Sequence, residues 1–300
     1  MKFRIGVVKV LLAAAAMLPA AAPVCLAGVY EDYIDRYHPM AVEQMEAYGI
    51  PASITLAQGL LESGAGRSTL AREGNNHFGI KCHRDWEGET MLRDDDAPDE
   101  CFRVYSSAAE SYEDHSRFLR RKRYSRLFEL DPADYAGWAK GLKSCGYATD
   151  PNYAARLITI IETYGLYLYD NPFDPKAEET ARFIQESLAK THPLRRSRGL
   201  HYVIALPGDT YAKIAKELKM KRARLMDYND AQTDGEIKPW EEVYLQPKLD
   251  KAPEGVDTVT IGEGESMHSL AQRYGMRLAT LKALNPDAKD MPGERLRLHQ

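Results

Sequence analysis

Beyond its first 27 residues, this 300-residue chain has no apolar run that approaches the roughly 20 residues needed to span a bilayer. It also lacks an excess of positive charge: 40 Lys and Arg face 44 Asp and Glu, a formal net charge of -4. Residues 1–27 hold three basic groups and no acid, so without them the charge falls to about -7. That balance argues against a general nucleic-acid binder. One basic cluster, "RFLRRKRYSRLF" (residues 117–128), reads as a solvated helix face, with contact to an anionic polymer as the sharper alternative. Cysteine is scarce, four in all, and no set has zinc-like spacing. His77, Cys82, His83 and Cys101 set a Cys directly beside a His, so no metal is expected. Nothing in the chain calls for a cofactor.

The beginning of the chain differs from the rest. Lys2, Arg4 and Lys9 precede the apolar "VLLAAAAML", and "CLA" ends the segment with small residues. Residues 1–27 therefore read as a secretory signal, and the expectation is a soluble, exported chain acting in a periplasm, cell wall or extracellular space. Cys25 as a lipid anchor fits less well, because Val24 precedes it. Cleavage leaves Cys82, Cys101 and Cys145, and an oxidising compartment favours one bridge. Cys82 and Cys101 flank a segment that could fold back on itself, so they are the expected pair, with Cys145 left over. The length suggests about two or three domains.

Residues 202–229 and 258–285 repeat one another. Gly208-Asp209-Thr210 matches Gly264-Glu265-Ser266, Ile214-Ala215 matches Leu270-Ala271, and Asn229 matches Asn285, all at one interval. Each unit reads as strand, capped turn, two short helices and a closing strand, with Thr210 and Ser266 as N-caps. These units resemble LysM modules, small βααβ domains that bind chitin-like and peptidoglycan glycans. The resemblance implies a shallow groove formed by Gly208, Asp209, Thr210, Asn229 and Asp230 in the first module. In the second it implies Gly264, Glu265, Ser266, Asn285 and Pro286. The first module departs from the family's usual Pro-Gly turn at "KPWEEVYL". The expected boundaries are 200–248 and 257–300, joined by a linker at 249–256. A longer linker at 171–199 carries a helix near 176–190.

Residues 28–170 read as mostly helical. "SSAAES" contains a capping box, Ser107 with Glu110, and Asp131 and Asp150 each precede a Pro as candidate N-caps. Residues 79–105 break the pattern and read as a hairpin flap with an acidic tip. Within "AQGLLESGAGRSTL" (residues 57–70), Thr55, Gln58 and Glu62 form a narrow polar stripe beside the apolar Ile54, Ala57 and Leu61. Glu62 thus ends a largely buried helix, where the dipole and desolvation both raise a carboxyl pKa. A general acid needs that property.

This stretch, with "NNHFGIK", "FRVYSSAAESYEDHSRFL" and "GLKSCGYATDPNYAARL" in that order, resembles the bacterial glucosaminidases of glycoside hydrolase family 73. The resemblance implies a multidomain protein: a mainly α, lysozyme-like catalytic domain with a small β-hairpin, followed by the two βααβ modules. It implies cleavage of the β-1,4 bond after N-acetylglucosamine in peptidoglycan. Glu62 falls on the family's catalytic acid and Tyr147 on its active-site tyrosine. The second acid is expected on the flap among Asp94, Asp95 and Asp96, with Asp95 chosen. An inverting pair would stand about 6.5–9.5 Å apart. Without such a pair, the substrate's acetamido group would act as nucleophile. Asn75, Asn76 and Phe78 are expected to line the cleft, and Trp138 and Tyr153 either line it or belong to the core. A muramidase or lytic transglycosylase, or a non-catalytic wall-binding protein, are the alternatives. A monomer with peptidoglycan as its partner is expected.

Overall fold

A computed structural model describes residues 27–83, 86–95, 97–170 and 192–299. The expected leader, but for residue 27, lies outside this set, as do Asp96 and the helix placed at 176–190. None of the described helices is long and apolar enough to cross a membrane.

The amino-terminal domain is mainly helical. Its central element is α2 (Ala52–Ser63), preceded by α1 (Ala27–Tyr48) and followed by α3 (Thr69–Gly74). Nothing in α2 suits a one-sided surface helix: residues 52–60 and Ser63 are all buried. The polar stripe read from the sequence is therefore internal, and its groups need partners inside the protein. Asp170 caps the start of α2, accepting the Ser53 N–H at 2.8 Å. At its far end Gly64 adopts the left-handed conformation (φ 57°) and its N–H donates to the Leu60 carbonyl. Ala65 and Gly66 are left-handed too, which turns the chain sharply past Glu62. The close packing also needs Gly59, where an added Cβ would come within 2.5 Å of the Tyr33 hydroxyl.

Helices α4 (Ala108–Leu119), α5 (Tyr135–Ser144) and α6 (Tyr153–Tyr164) complete the lobe. The two Asp-Pro pairs do not cap their helices as expected. Asp131 and Asp150 instead accept the N–H two residues on, from Ala133 and Asn152. Each closes a turn just ahead of its helix, a habit of short Asp side chains. The cap residues are Asp134 and Asn152. The flap is a hairpin of β1 (Thr90–Arg93) and β2 (Glu100–Arg103), with Leu92 opposite Cys101. A Cys82–Cys101 disulfide ties β2 to the segment before it, and Cys145 is a buried free thiol.

Two βααβ units follow. The first comprises β4 (Leu200–Ile204), α7 (Tyr211–Glu217), α8 (Arg222–Tyr228) and β5 (Glu242–Tyr244). The strand β3 (Arg195–Ser197), in residues read as linker, pairs antiparallel with β4 and widens this sheet to three strands. The second comprises β6 (Thr258–Thr260), α9 (Met267–Arg273), α10 (Leu278–Leu284) and β7 (Arg295–Arg297). Thr210 and Ser266 are the N-caps read from the repeat.

The first module is not a bead on a string. Its Tyr202, Ile204, Trp240 and Tyr244 share one apolar core with the helical domain. Trp240, in the departure "KPWEEVYL", has φ 67° and sits edge-on to Tyr30 and Tyr164, with centroids 5.3 and 6.0 Å away. The irregular turn thus aims an aromatic anchor into the helical lobe. Beside it Arg156 of α6 grips Glu242 of β5 with two hydrogen bonds, 3.0 and 2.7 Å, and Glu242 is fully buried. Arg156→Met would strand that carboxylate. We expect a loss of about 3–5 kcal/mol in chemical denaturation, because an uncompensated buried charge remains.

Candidate active site

Glu62 stands one residue from the carboxyl end of α2, half-buried, where the left-handed turn leaves its carboxylate facing the flap and α6. The Tyr153 hydroxyl donates to its Oε1 at 2.9 Å. Burial pushes the Glu62 carboxyl up to about 7. The Tyr153 hydrogen bond and the charge of Arg156 oppose that rise, while Asp95 and Asp150 reinforce it. The result is a carboxyl that holds and releases a proton around neutrality.

Of the two places open to Tyr153, it takes the core: it is 2% exposed and its hydroxyl is committed to Glu62. It accepts from Gln58 Nε2 at 3.0 Å, and Gln58 Oε1 lies 3.1 Å from His115 Nε2. Tyr147 is half-buried and its ring stacks on that of Tyr153, centroids 5.6 Å apart. Burial, and then the negative charge of Glu62, hold the Tyr147 hydroxyl well above its ordinary range. It stays protonated and able to donate.

The flap acids separate. Asp95 reaches the site electrostatically, being the acid after desolvation that most raises Glu62, and forms a 2.8 Å ion pair with Lys81. Lys81 also holds Glu100 at 2.7 Å, so it braces the flap tip against β2. Asp94 turns the other way. Its carbonyl accepts the Glu263 N–H of the second module at 3.2 Å, and Arg93 ion-pairs with Glu263 at 3.3 Å. Glu89 is exposed, with its carbonyl taken by Val104 and Trp86.

Several expected cleft residues are structural. Asn76 is 1% exposed, and its amide bonds the Ile80 and Arg103 carbonyls and the Ile80 N–H. Phe78 is buried, stacked on His115 at 3.9 Å. Trp138 is buried and edge-on to Phe128. Each fills space inside the helical lobe. Asn75 is half-buried, caps α3 in the left-handed conformation and donates to the Tyr105 carbonyl at 2.9 Å. The disulfide consumes both thiols of the set weighed as metal ligands. The basic cluster is not simply solvated either. Residues 122–129 form a 3-10 helix, and Arg123 donates to the Cys145 and Gly146 carbonyls just before Tyr147.

The two expected grooves are unequal. In the first module Asn229 is fully buried and cross-links Leu225 and Tyr244. His268 and Gln272 of the second module contact its carbonyl and side chain at 2.8 and 2.9 Å. Asp230 accepts the Leu278 N–H at 3.0 Å and pairs with Lys248 at 2.8 Å. One rim of that groove is thus an inter-module contact. Asp209 is also committed, to the Leu206 N–H and to His192, while Gly208 and Thr210 are half-buried. In the second module Gly264 and Pro286 are exposed. Glu265 pairs with Arg273, Ser266 caps α9, and Asn285 ties α10 to β7.

Residues 38–166 match the family described as mannosyl-glycoprotein endo-beta-N-acetylglucosaminidase, and residues 206–239 and 259–298 match the LysM domain. The chain is similar to the exo-glucosaminidase LytG of Bacillus subtilis, 37% identical over 46% of this chain and 52% of that protein. It is similar to the peptidoglycan hydrolase FlgJ of Salmonella typhimurium, 35% identical over 46% of this chain and 47% of that protein. The autolysin of Enterococcus faecalis is 26% identical over 82% of this chain and 36% of its own length. The chain spans about half the length of LytG and FlgJ.

The raised pKa of Glu62 has a cost in stability. Between the ordinary value of 4.5 and the folded value of about 7, the folded chain keeps a proton that the unfolded chain has released. Stability contributed by this group is therefore full below pH 4.5 and lost as the pH climbs through 7. Glu62→Gln should match the parent's thermal midpoint at pH 4 and exceed it at pH 8.

Proposed function

For a chain that carries a glucosaminidase-family domain followed by two LysM domains, we propose a peptidoglycan hydrolase. It cleaves the β-1,4 bond after N-acetylglucosamine, with Glu62 as general acid. The observation that carries this reading is a half-buried carboxyl whose pKa is pushed to about 7. At neutral pH a large fraction of Glu62 is protonated, and it delivers that proton to the departing glycosidic oxygen. Tyr147 donates from the adjoining wall and steadies the sugar's acetamido oxygen or the developing charge.

Asp95 is the flap acid best supported as the second carboxylate, because its charge reaches Glu62. In that role it activates water on the opposite face of the sugar. Its ion pair with Lys81 holds it along the flap. The second LysM module supplies wall binding through its exposed loops at Gly264 and Pro286. The first serves chiefly as a rigid extension of the catalytic domain. The protein acts on cell-wall glycan outside the cytoplasm.

Digestion of purified peptidoglycan, followed by identification of the new reducing ends, tests this reading. N-acetylglucosamine ends are expected. Muramic acid or its anhydro form would point to a muramidase or transglycosylase, and no new ends would remove catalysis altogether. Glu62→Gln should lower the rate by about 10²–10⁴-fold, the range for loss of a general acid.

A further inference from the structure

Behind Glu62 lies a line of buried polar side chains that the proposed mechanism does not use. His115 and Gln58 are both fully buried, and neither approaches the cleft. They are joined through Tyr153 to Glu62 by contacts of 3.1, 3.0 and 2.9 Å. The helices supply the alignment: Gln58 precedes Glu62 by one turn of α2, Tyr153 opens α6, and His115 faces them from α4.

The direction of this chain follows from its far end. Nδ1 of His115 has no hydrogen-bond partner among the described residues. An unpaired buried N–H costs more than an unpaired lone pair, so the ring proton belongs on Nε2. Burial pushes the His115 pKa down to about 3, which keeps the ring neutral with that single proton. Nε2–H then donates to Gln58 Oε1, and the Gln58 amide must present its NH₂ to the Tyr153 oxygen. With that lone pair occupied by a donor, the Tyr153 O–H has Glu62 Oε1 as its acceptor.

We propose that His115 and Gln58 are positioning residues for Glu62: they fix the polarity of the chain, so that Tyr153 always donates to Oε1 and the carboxyl's own proton is held on Oε2. Three consequences follow for the acid. Oε1 is occupied as an acceptor, so the side chain cannot rotate freely. The proton is left on the oxygen that is free to meet a leaving group. The donated bond favours the carboxylate and so makes proton release easier. Other groups facing Glu62 act by charge alone: Asp95 from the flap, Asp150 before α6, and Arg156 on α6. Tyr147 flanks both ends of the chain, with its ring near those of Tyr153 and His115. None of these sets the direction of the Tyr153 proton.

The inference rests on Glu62 being the acid, and its test separates the two ideas. In the full chain, δ-¹³C-glutamate labelling follows the Glu62 carboxyl directly, with Glu62→Gln identifying its resonance. His115→Phe keeps the ring stacked on Phe78 but removes the Nε2 donor. Gln58 is then free to turn its oxygen to Tyr153 and draw the hydroxyl proton away. The Glu62 titration midpoint should rise by about one pH unit in Tyr153→Phe, the scale of a lost charge-assisted hydrogen bond. It should rise in the same direction in His115→Phe and return in His115→Gln, whose amide nitrogen takes the place of Nε2. His115→Leu makes the same break should His115→Phe fail to fold. An unmoved Glu62 midpoint in folded His115→Phe or His115→Leu overturns the proposal. A midpoint that moves while the alkaline limb of the rate profile stays put upholds the chain and removes Glu62 as the acid.

Discussion

The hydrogen bond from Tyr153 to Glu62 joins two needs that pull in opposite directions. Burial at the end of α2 favours the neutral carboxylic acid, and taken alone would hold the proton too tightly to give away. A donor on Oε1 favours the carboxylate. The balance falls near neutrality, where an acid catalyst is most useful. Much of the surrounding architecture keeps that one contact in register. The cap at Asp170, the left-handed turn at residues 64–66 and the absence of a side chain at Gly59 all fix α2. The packing of α6 fixes Tyr153.

The same helix that carries Tyr153 also carries Arg156, and through Glu242 it couples the site to the first LysM module. This explains why that module departs from its family's turn. A surface tether needs only a flexible linker. A module that completes the catalytic core needs an anchor, and Trp240 provides it against Tyr30 and Tyr164. The second module in turn leans on the first through His268 and Gln272, and on the flap through Glu263. The helical domain and both modules are thereby built into one arrangement, with the outer module set beside the flap.

Much of this was legible without coordinates. Helical spacing placed Glu62 on a polar line, and Thr210 and Ser266 announced two helices through cap chemistry that depends only on near neighbours. The repeat exposed both modules because their landmarks keep one interval. Burial was harder to read. Phe78, Asn76 and Trp138 have the side chains of a sugar-binding wall, yet each is buried inside the lobe. A residue type does not say which side of a helix ends up against solvent when the helix is covered all round.

The sequence by itself determined the local elements, the repeat and the polar line that carries Glu62, because these rest on periodicity, caps and short spacing. Only the tertiary structure decided what stands behind that carboxyl. Gln58, His115 and Tyr153 are separated by 57 and 95 residues along the chain, and no local pattern brings them into one line. The flap acids differ for the same reason. Asp94 and Asp95 are neighbours of identical chemistry, and only the pairing of one with Glu263's backbone and the other with Lys81 tells them apart.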